Sequence, residues 1–297
     1  MRPTDRTGLA IVLSLIALAL FDAMGLVIKL LSDRYSAVEL SAWRNLFGLI
    51  PSMIALTAAR GWHAAGRPLR IRQWKLALMR GVIVTLAQLC FYLSLGVLPF
   101  ATASTIAYAN ALFMTALAVP LLGEKVGWMR WSAVSVGFAG VILVMQPGAA
   151  TFTPYALLPL GAAVFYALVG VTSRLFDEDV PSPLISVYSS VAALSGSVIL
   201  ALAWGGFTPV TTSTDMAWIV AMGGFGGTAV LFLVVSYRMT EQSNLAPFSY
   251  FGIPMAFGLG WFFFDENPWD QLFPGALLIV AGGLLIIWRE RQLRQSS

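Results

Sequence analysis

The residues best suited to chemistry are three charged side chains that stand inside apolar stretches near the start of the chain. Asp22 and Lys29 are seven residues apart, which places them on one face of a helix, two turns from each other. Arg44 follows in the next apolar stretch. A charge among apolar residues costs free energy unless it is paired or reaches water. These three residues are therefore the first candidates for a functional role.

Each of these charges has two interpretations. Asp22 either carries a proton or binds a substrate amine, or it forms a structural hydrogen bond or is solvated near the outer mouth. Arg44 either binds a substrate carboxylate through two parallel hydrogen bonds or has a structural role, for example in an ion pair with Asp33 or Glu39. We predict that Asp22 is the coupling residue and that Lys29 and Arg44 are structural charges.

A second set of polar side chains interrupts the later apolar stretches. Polar groups that face lipid cost free energy, so these side chains are expected to point inward and line a cavity or join helices. Hydroxyls, amides and aromatic rings with few fixed charges suit a zwitterionic or neutral metabolite and suit a nucleotide phosphate poorly. The predicted substrate-binding residues are Tyr92, Tyr108, Asn110, Tyr166, Thr228, Ser249 and Tyr250.

The elements that must position these residues are ten apolar segments. A helix of about 20 residues crosses a hydrocarbon core about 30 Å thick. The composition agrees, because the chain is 58% hydrophobic and only 11% charged, whereas a soluble domain has about 25% charged residues. We predict an all-α membrane protein with spans near Leu9–Leu31, Val38–Ala58, Trp74–Val97, Phe100–Leu122, Trp128–Met145, Thr153–Leu175, Leu184–Trp204, Met216–Tyr237, Ser243–Phe264 and Phe273–Trp288.

The basic residues predict the orientation of these spans. Most of the 18 Lys and Arg residues lie near the N-terminus, between residues 60 and 80, or after the last span. The connections 96–99, 146–151 and 205–214 carry none. Because cytoplasmic loops retain Lys and Arg, both termini are predicted to be cytoplasmic, in an inner membrane of the bacterial type.

The two halves of the chain resemble each other at a shift of roughly 141–143 residues. Leu122-Gly123-Glu124 closes the fourth span and Phe264-Asp265-Glu266 closes the ninth, and a glycine-bearing apolar span follows each. Because five spans are an odd number, the second repeat must be inverted relative to the first. We predict five-helix repeats over residues 1–147 and 148–297 that surround a central cavity.

Several short motifs lie along the whole chain: Phe21–Lys29 with Glu39–Asn45, Leu122–Glu124, Gly137–Val141, Ala246–Tyr250 and Gly275–Gly283. Together they resemble EamA-type carriers of the drug/metabolite transporter superfamily. The resemblance implies ten helices, cytoplasmic termini and export of small metabolites, often amino acids.

The chain departs from these relatives in the fourth span. Asn110 and Ala111 stand where many relatives have Pro, which weakens the expectation that this span breaks. Pro254 is the best candidate for a break in the ninth span.

The leading functional prediction is a secondary or facilitative transporter that exports amino acids or similar small metabolites by alternating access. The expected partners are that small-molecule substrate and the lipid bilayer, with no nucleic acid, cofactor or metal. The alternatives are uptake or exchange of a larger metabolite, such as a nucleoside-like compound, and a channel-like pore. An enzyme is not expected, because the one histidine, His63, lies in a loop rather than at membrane depth.

Overall fold

A computed structural model describes residues 7–123, 127–146, 153–172, 175–177, 180–239, 248, 250–267 and 269–295. The structure is 81% helix and has no strand in those ranges. A 3-10 turn at Pro154–Ala156 precedes α8. The helices are α1 (Thr7–Leu31), α2 (Ala37–Thr57), α3 (Arg60–Ala64), α4 (Trp74–Leu95), α5 (Phe100–Ala107), α6 (Asn110–Leu122), α7 (Trp128–Met145), α8 (Leu157–Thr172), α9 (Ser182–Ala203), α10 (Ser213–Met239), α11 (Gly252–Phe264), α12 (Trp269–Leu272) and α13 (Gly275–Gln295).

The helices confirm the all-α class and the multi-pass character of the chain. Two shorter apolar helices lie at Trp131–Met145 and Gly252–Phe264. The count of ten spans stays a prediction. Within the described ranges, six segments are long and apolar enough to cross a membrane: Gly8–Leu31, Trp74–Leu95, Phe100–Leu122, Pro154–Thr172, Pro183–Ala203 and Ser213–Leu233.

The helices form a bundle with two distinct ends. The connections 32–36, 96–99, 204–212 and 265–267 meet at one end, which we call the Lys29 end. The other end holds the connection 58–73 together with the starts of α4 and α9, and we call it the basic end. There a small apolar cluster forms from Leu56, Trp62, Ile71, Ala77 and Leu184.

Among the described helices, several pairs that take one helix from each half of the chain cross antiparallel, and three of them are α2 with α9, α5 with α11 and α7 with α13. In each pair, the residues near the start of one helix contact residues near the end of the other helix. For α2 with α9 and the connection after it, the contacts that show the direction are Glu39–Thr208 and Asn45–Ser197. For α5 with α11 they are Ala101–Gly260 and Tyr108–Gly252. For α7 with α13 they are Val144–Gly275 and Gly137–Gly282.

The fourth predicted span is interrupted although it lacks the proline of many relatives. A turn at Tyr108–Ala109 separates α5 from α6, and a second turn at Tyr250–Phe251 precedes α11. Pro254 lies in the first turn of α11, where a missing N–H removes no helical hydrogen bond, and this helix is continuous through it; most of the predicted ninth span before Tyr250 lies outside the described residues. Glu124 of the predicted repeat lies outside the described residues.

Candidate functional site

Asp22 lies deep in the bundle. It stands nine residues before the end of α1, about 14 Å from the Lys29 end at 1.5 Å per residue, and it is 5% exposed. The hydroxyl of Tyr108 donates to Asp22 Oδ1 at 3.0 Å. The second oxygen, Oδ2, is buried and has no hydrogen-bond partner among the described residues. Since buried polar atoms are nearly always bonded, this oxygen is an open position for a proton or a ligand.

The turn between α5 and α6 brings Tyr108 to Asp22. A Cβ atom at Gly252 would lie 1.9 Å from the Tyr108 hydroxyl oxygen, so only glycine leaves room for the phenol at this crossing. Tyr250, on the turn that precedes α11, is 5% exposed and belongs to the apolar cluster against which Tyr108 packs. Two predicted site residues, Tyr108 and Tyr250, therefore share one cluster, and Tyr108 links it to Asp22.

Arg44 enters the bundle from α2. It stands seven residues after the helix begins at Ala37, about 10 Å from the Lys29 end. Its guanidinium passes close to α10, because a Cβ atom on Gly226 would lie 2.9 Å from Arg44 Nε and 2.6 Å from Met24 Sδ. Arg44 Nε is buried and has no hydrogen-bond partner in the described part of the chain. Asp22 and Arg44 thus carry opposite charges at similar depth.

Two further phenols accompany Arg44. The hydroxyls of Tyr92 and Tyr166 lie within electrostatic range of Arg44, and the Tyr166 hydroxyl also lies within range of the Tyr92 hydroxyl. Tyr92 is 1% exposed, and its hydroxyl oxygen has no partner among the described residues. A guanidinium near a phenol that has free hydrogen-bonding capacity can bind an anionic group such as a carboxylate.

An amide network that the sequence prediction did not include holds Arg44 in place. Asn45 Nδ2 donates to Gln88 Oε1 at 2.9 Å, and Gln88 Nε2 donates back to Asn45 Oδ1 at 3.1 Å. Ser41 Oγ donates to the same Gln88 oxygen at 2.7 Å. Arg44 Nη1 donates to Asn45 Oδ1 at 3.1 Å, so one hydrogen bond ties the guanidinium to the network that joins α2 and α4. The feature of the sequence that could have predicted this network is one amide residue in each of two apolar spans, Asn45 and Gln88.

The alternative ion pairs of Arg44 do not form. Glu39 instead completes a capping box at the start of α2: the Ser36 N–H donates to Glu39 Oε2 at 2.7 Å, and the Ser36 hydroxyl accepts from the Glu39 N–H. The Thr208 N–H donates to the other Glu39 oxygen. In the described ranges the ion pairs are Lys29–Glu266 and Arg34–Asp215, and neither includes Arg44 or Asp33.

Lys29 points toward the end of the bundle rather than toward Asp22. Its Nζ lies 2.6 Å from Glu266 Oε1 and donates to the Leu98 carbonyl oxygen at 2.7 Å. Although Lys29 and Asp22 share a helix face, no ion pair joins them. The sequence prediction did not name Glu266 as a partner of Lys29, because the two residues are far apart in the chain.

The remaining predicted site residues are not joined to this cluster by hydrogen bonds. Asn110 is the first residue of α6 and Thr228 lies on α10, two residues after Gly226; both are half-buried. Neither forms a hydrogen bond with another predicted site residue within the described ranges. Ser249 lies outside the described residues.

The described ranges include a hollow of about 440 Å³, and it opens at the Lys29 end. It is about two helical turns from Asp22, because Lys29, seven residues after Asp22, is the first residue of α1 that lines it. The hollow is therefore distinct from the buried polar groups at mid-depth. Its lining includes Lys29, Ser32, Asp33, Leu98, Phe264 and Glu266.

Apolar spanning helices around buried charges with open bonding positions define a multi-pass membrane protein that has a polar interior. The EamA-like transporter family matches residues 8–146 and again residues 153–288. The chain therefore belongs to the EamA-like transporter family and is a membrane transporter. This match confirms the predicted resemblance, and a family of transporters points to a protein that is not an enzyme.

Relatives with assigned activities are transporters as well. The chain is 25% identical to the S-adenosylmethionine uptake transporter of Rickettsia prowazekii, over 96% of this chain and 93% of that protein. It is 25% identical to the pseudopaline exporter CntI of Pseudomonas aeruginosa over 93% of each. It is 28% identical to the riboflavin transporter of Rhizobium johnstonii over 72% of this chain and 70% of that protein.

The fold also matches a solved crystal structure. The TM-score is 0.67 at 19% identity, and the match covers 96% of this chain and 98% of the other. At this identity the likeness shows the fold alone. The names of the relatives support small-molecule transport but do not support an amino acid as the substrate.

Proposed function

We propose that this protein is a secondary carrier for small zwitterionic metabolites that contain an α-amino carboxylate group, and that it exports them by alternating access. Amino acids are the simplest such substrates. The observation that carries the proposal is the pair of buried, opposite charges, Asp22 and Arg44, each with a polar atom that lacks a partner among the described residues. A substrate ammonium group suits Asp22, and a carboxylate suits Arg44.

We propose that the carrier has ten spans in two inverted repeats of five. The family match to two successive segments supports this architecture, as do the antiparallel crossings of α2 with α9, α5 with α11 and α7 with α13. The turns at Tyr108 and Tyr250 lie 142 residues apart, within the shift that relates the two halves. Inverted repeats with broken helices at the midplane are typical of secondary transporters.

The proposed orientation places both termini and the basic end in the cytoplasm of an inner membrane. Exposed Arg67, Arg70 and Arg72 lie at the basic end, and cytoplasmic loops retain such residues. The Lys29 end would then face outward. Labelling of single cysteines at Gly61 and Val97 with an impermeant maleimide on intact cells tests this, because only the residue at position 97 should react.

A second candidate substrate is a larger metabolite that joins an amino-acid group to a nucleoside. The similarity to S-adenosylmethionine uptake transporters favours it, because that metabolite contains both groups. Aromatic rings near Arg44 suit a nucleobase, since bases stack on aromatic side chains. Trp43, the neighbour of Arg44, also has a buried Nε1 without a partner in the described part of the chain.

Transport by the purified protein in liposomes tests the substrate class. Labelled L-methionine and labelled S-adenosylmethionine should each show saturable counterflow, whereas N-acetyl-L-methionine and L-methioninamide should compete weakly. Arg44→Gln should raise the KM for methionine by about tenfold, the equivalent of one charge-assisted contact worth about 1.4 kcal/mol. Non-saturable flux would instead indicate a channel, and absence of both fluxes would overturn the proposed substrate class.

Coupling through Asp22 is a separate part of the proposal. With an imposed proton gradient, the wild type should concentrate substrate, and Asp22→Asn should abolish this accumulation. Counterflow should persist in the variant, because it needs no net proton movement, but with a raised KM, because the variant lacks the carboxylate that is proposed to bind the substrate ammonium group. Tyr108→Phe is the matched control, because it removes the hydrogen bond to Asp22 and keeps the carboxyl group. If Asp22→Asn still concentrates substrate, Asp22 has a structural role.

A further inference from the structure

The Lys29–Glu266 ion pair joins the two halves of the chain at one end of the bundle. Lys29 lies near the end of α1 in the first half, and Glu266 follows α11 in the second half. Their side chains are 15% and 16% exposed, so the pair is largely dry but can be reached from the hollow beside it. Any movement that opens the Lys29 end between these elements must separate the two charges.

Both charges are also bonded to the backbone of one neighbouring segment. Lys29 Nζ donates to the Leu98 carbonyl oxygen at 2.7 Å, and the Phe100 N–H donates to Glu266 Oε2 at 2.6 Å. Phe100 begins α5, where the first N–H groups lack helical partners and favour a negative group. The ion pair therefore fastens α1 and the segment after α11 to the start of α5.

The hollow beside the pair has room for a small metabolite. Its volume of about 440 Å³ lies in the range of small-molecule pockets. Lys29 and Glu266 both line it, together with Phe264, whose ring centroid is 5.2 Å from Lys29 Nζ. One opening thus offers a cation, a carboxylate and an aromatic ring.

Separating the pair is costly unless each charge finds a new partner, because a largely buried charge without a partner is strongly destabilising. An α-amino carboxylate supplies both replacements in one molecule. Its carboxylate can bind Lys29 while its ammonium binds Glu266. A molecule with only one of these groups leaves the other protein charge unpaired.

We infer that this hollow is a second binding site for α-amino carboxylates, distinct from the Asp22 and Arg44 groups, and that a zwitterion bound there replaces the Lys29–Glu266 pair and opens the Lys29 end. This inference rests on the proposed function, since it assumes a zwitterionic substrate. It adds a selection step: the end opens only for a ligand that carries both charges.

Accessibility of a buried position next to the pair tests the inference independently of transport. Ala101 follows Phe100 on α5 and is 0% exposed, whereas Val97 lines the hollow and is 53% exposed. With Cys90, the single cysteine of the chain, replaced by serine, Ala101→Cys reports opening and Val97→Cys is the matched control. The measurement is the rate of maleimide labelling of the purified full chain in nanodiscs, where both ends are accessible.

L-Methionine should accelerate labelling of Ala101→Cys by about tenfold, corresponding to about 1.4 kcal/mol of population shift, and should not accelerate labelling of Val97→Cys. N-Acetyl-L-methionine and L-methioninamide should have no such effect on Ala101→Cys. In Lys29→Gln/Glu266→Gln, labelling at position 101 should already be fast and should not respond to methionine. If Ala101→Cys does not fold, Ser94→Cys, also fully buried near this end, replaces it.

The outcomes separate this inference from the proposed function. If methionine is transported but labelling does not respond, or responds equally to methioninamide, the second site is disproved and the carrier proposal stands. If methionine and S-adenosylmethionine are neither transported nor able to change the labelling rate, the substrate class is wrong and the inference fails with it.

Discussion

The two ends of the bundle hold the halves of the chain together by different means. At the Lys29 end, ionic contacts add to the apolar packing of Leu31 and Phe100 with Phe264: Lys29 is bound to Glu266 and Arg34 Nη1 is bound to Asp215 Oδ1, both at 2.6 Å. At the basic end the Tyr188 hydroxyl donates to the Leu69 carbonyl oxygen at 2.7 Å. An apolar cluster around Leu56 and Leu184 supports that end, and the described residues there form no ion pair.

This difference indicates which end a charged substrate is able to open. A ligand that carries charges can replace the partners in an ion pair, but it has no equivalent for close-packed apolar side chains. The basic end has many cations, yet none in the described ranges forms an ion pair with the other half of the chain, and Arg80 instead lies 5.6 Å from the centroid of the Phe176 ring. The distribution of these cations is explained by orientation in the membrane. The end with fewer cations is therefore the one whose ionic contacts a charged ligand can exchange.

The largest predicted effect is at the close-packed helix crossing toward the basic end. A Cβ atom on Gly81 of α4 would lie 2.3 Å from Ala192 Cβ and 2.6 Å from the Ser189 carbonyl oxygen on α9. Gly81→Leu should therefore destabilise the protein by about 3 kcal/mol, at the upper end of the usual cost of overpacking. Thermal unfolding in detergent and the yield of monodisperse protein measure the effect.

Gly61→Leu is the matched control for this prediction, because a Cβ atom on Gly61 would have no neighbour within 4 Å. It should leave the unfolding temperature unchanged. Equal stability of both variants would show that the α4–α9 crossing tolerates separation, and the proposed contrast between the ends would be lost.

A smaller effect is expected from the ion pair at the Lys29 end. Lys29→Gln or Glu266→Gln should each cost about 2 kcal/mol, because each leaves a largely buried charge without its partner. The double variant should cost less than either single variant. A double-mutant cycle of unfolding free energies measures the coupling, and additive effects would mean that the pair contributes nothing to the closed end.

Apolar length and repeated motifs predicted the helices well, because membrane spans have a strong compositional signal. The predicted fourth span, Phe100–Leu122, coincides with α5 and α6 together. The turn inside it could not be predicted from its own residues. Tyr108 in this turn closely approaches Gly252 in the other half, a long-range contact that no local pattern encodes.

The candidate site was predicted only in part, because its hydrogen bonds are also long-range contacts. Asp22 and Tyr108 were each identifiable as polar groups in apolar spans, but their hydrogen bond depends on how α1 meets the interrupted span. The partner of Lys29 was missed because Glu266 lies at the edge of a distant helix, where a carboxylate has no distinctive sequence signal. The sequence shows that Asn45 and Gln88 are amides in apolar spans. Only the packed structure shows that they form hydrogen bonds with each other.

The second ion pair at the Lys29 end should matter less than the first. Arg34 is 58% exposed in its side chain, although Asp215 is only 6% exposed, and the Tyr35 hydroxyl also donates to Asp215 Oδ2 at 3.1 Å. Arg34→Gln should cost about 1 kcal/mol, because solvent screens an exposed partner. The loss of unfolding free energy in Arg34→Gln should become smaller in high salt. A loss equal to that of Lys29→Gln would contradict the prediction that the second ion pair contributes less than the first.

The smallest effect is expected from the cations of the basic end. Arg70 and Arg72 are exposed and form no ion pair among the described residues, so Arg70→Gln/Arg72→Gln should change the unfolding free energy by no more than about 0.5 kcal/mol. Thermal unfolding at low and high salt checks this, with Arg34→Gln measured in parallel. A salt-dependent loss of more than about 1 kcal/mol in the double variant would show a stabilising ionic contact at the basic end, and the two ends would then be held by the same kind of interaction.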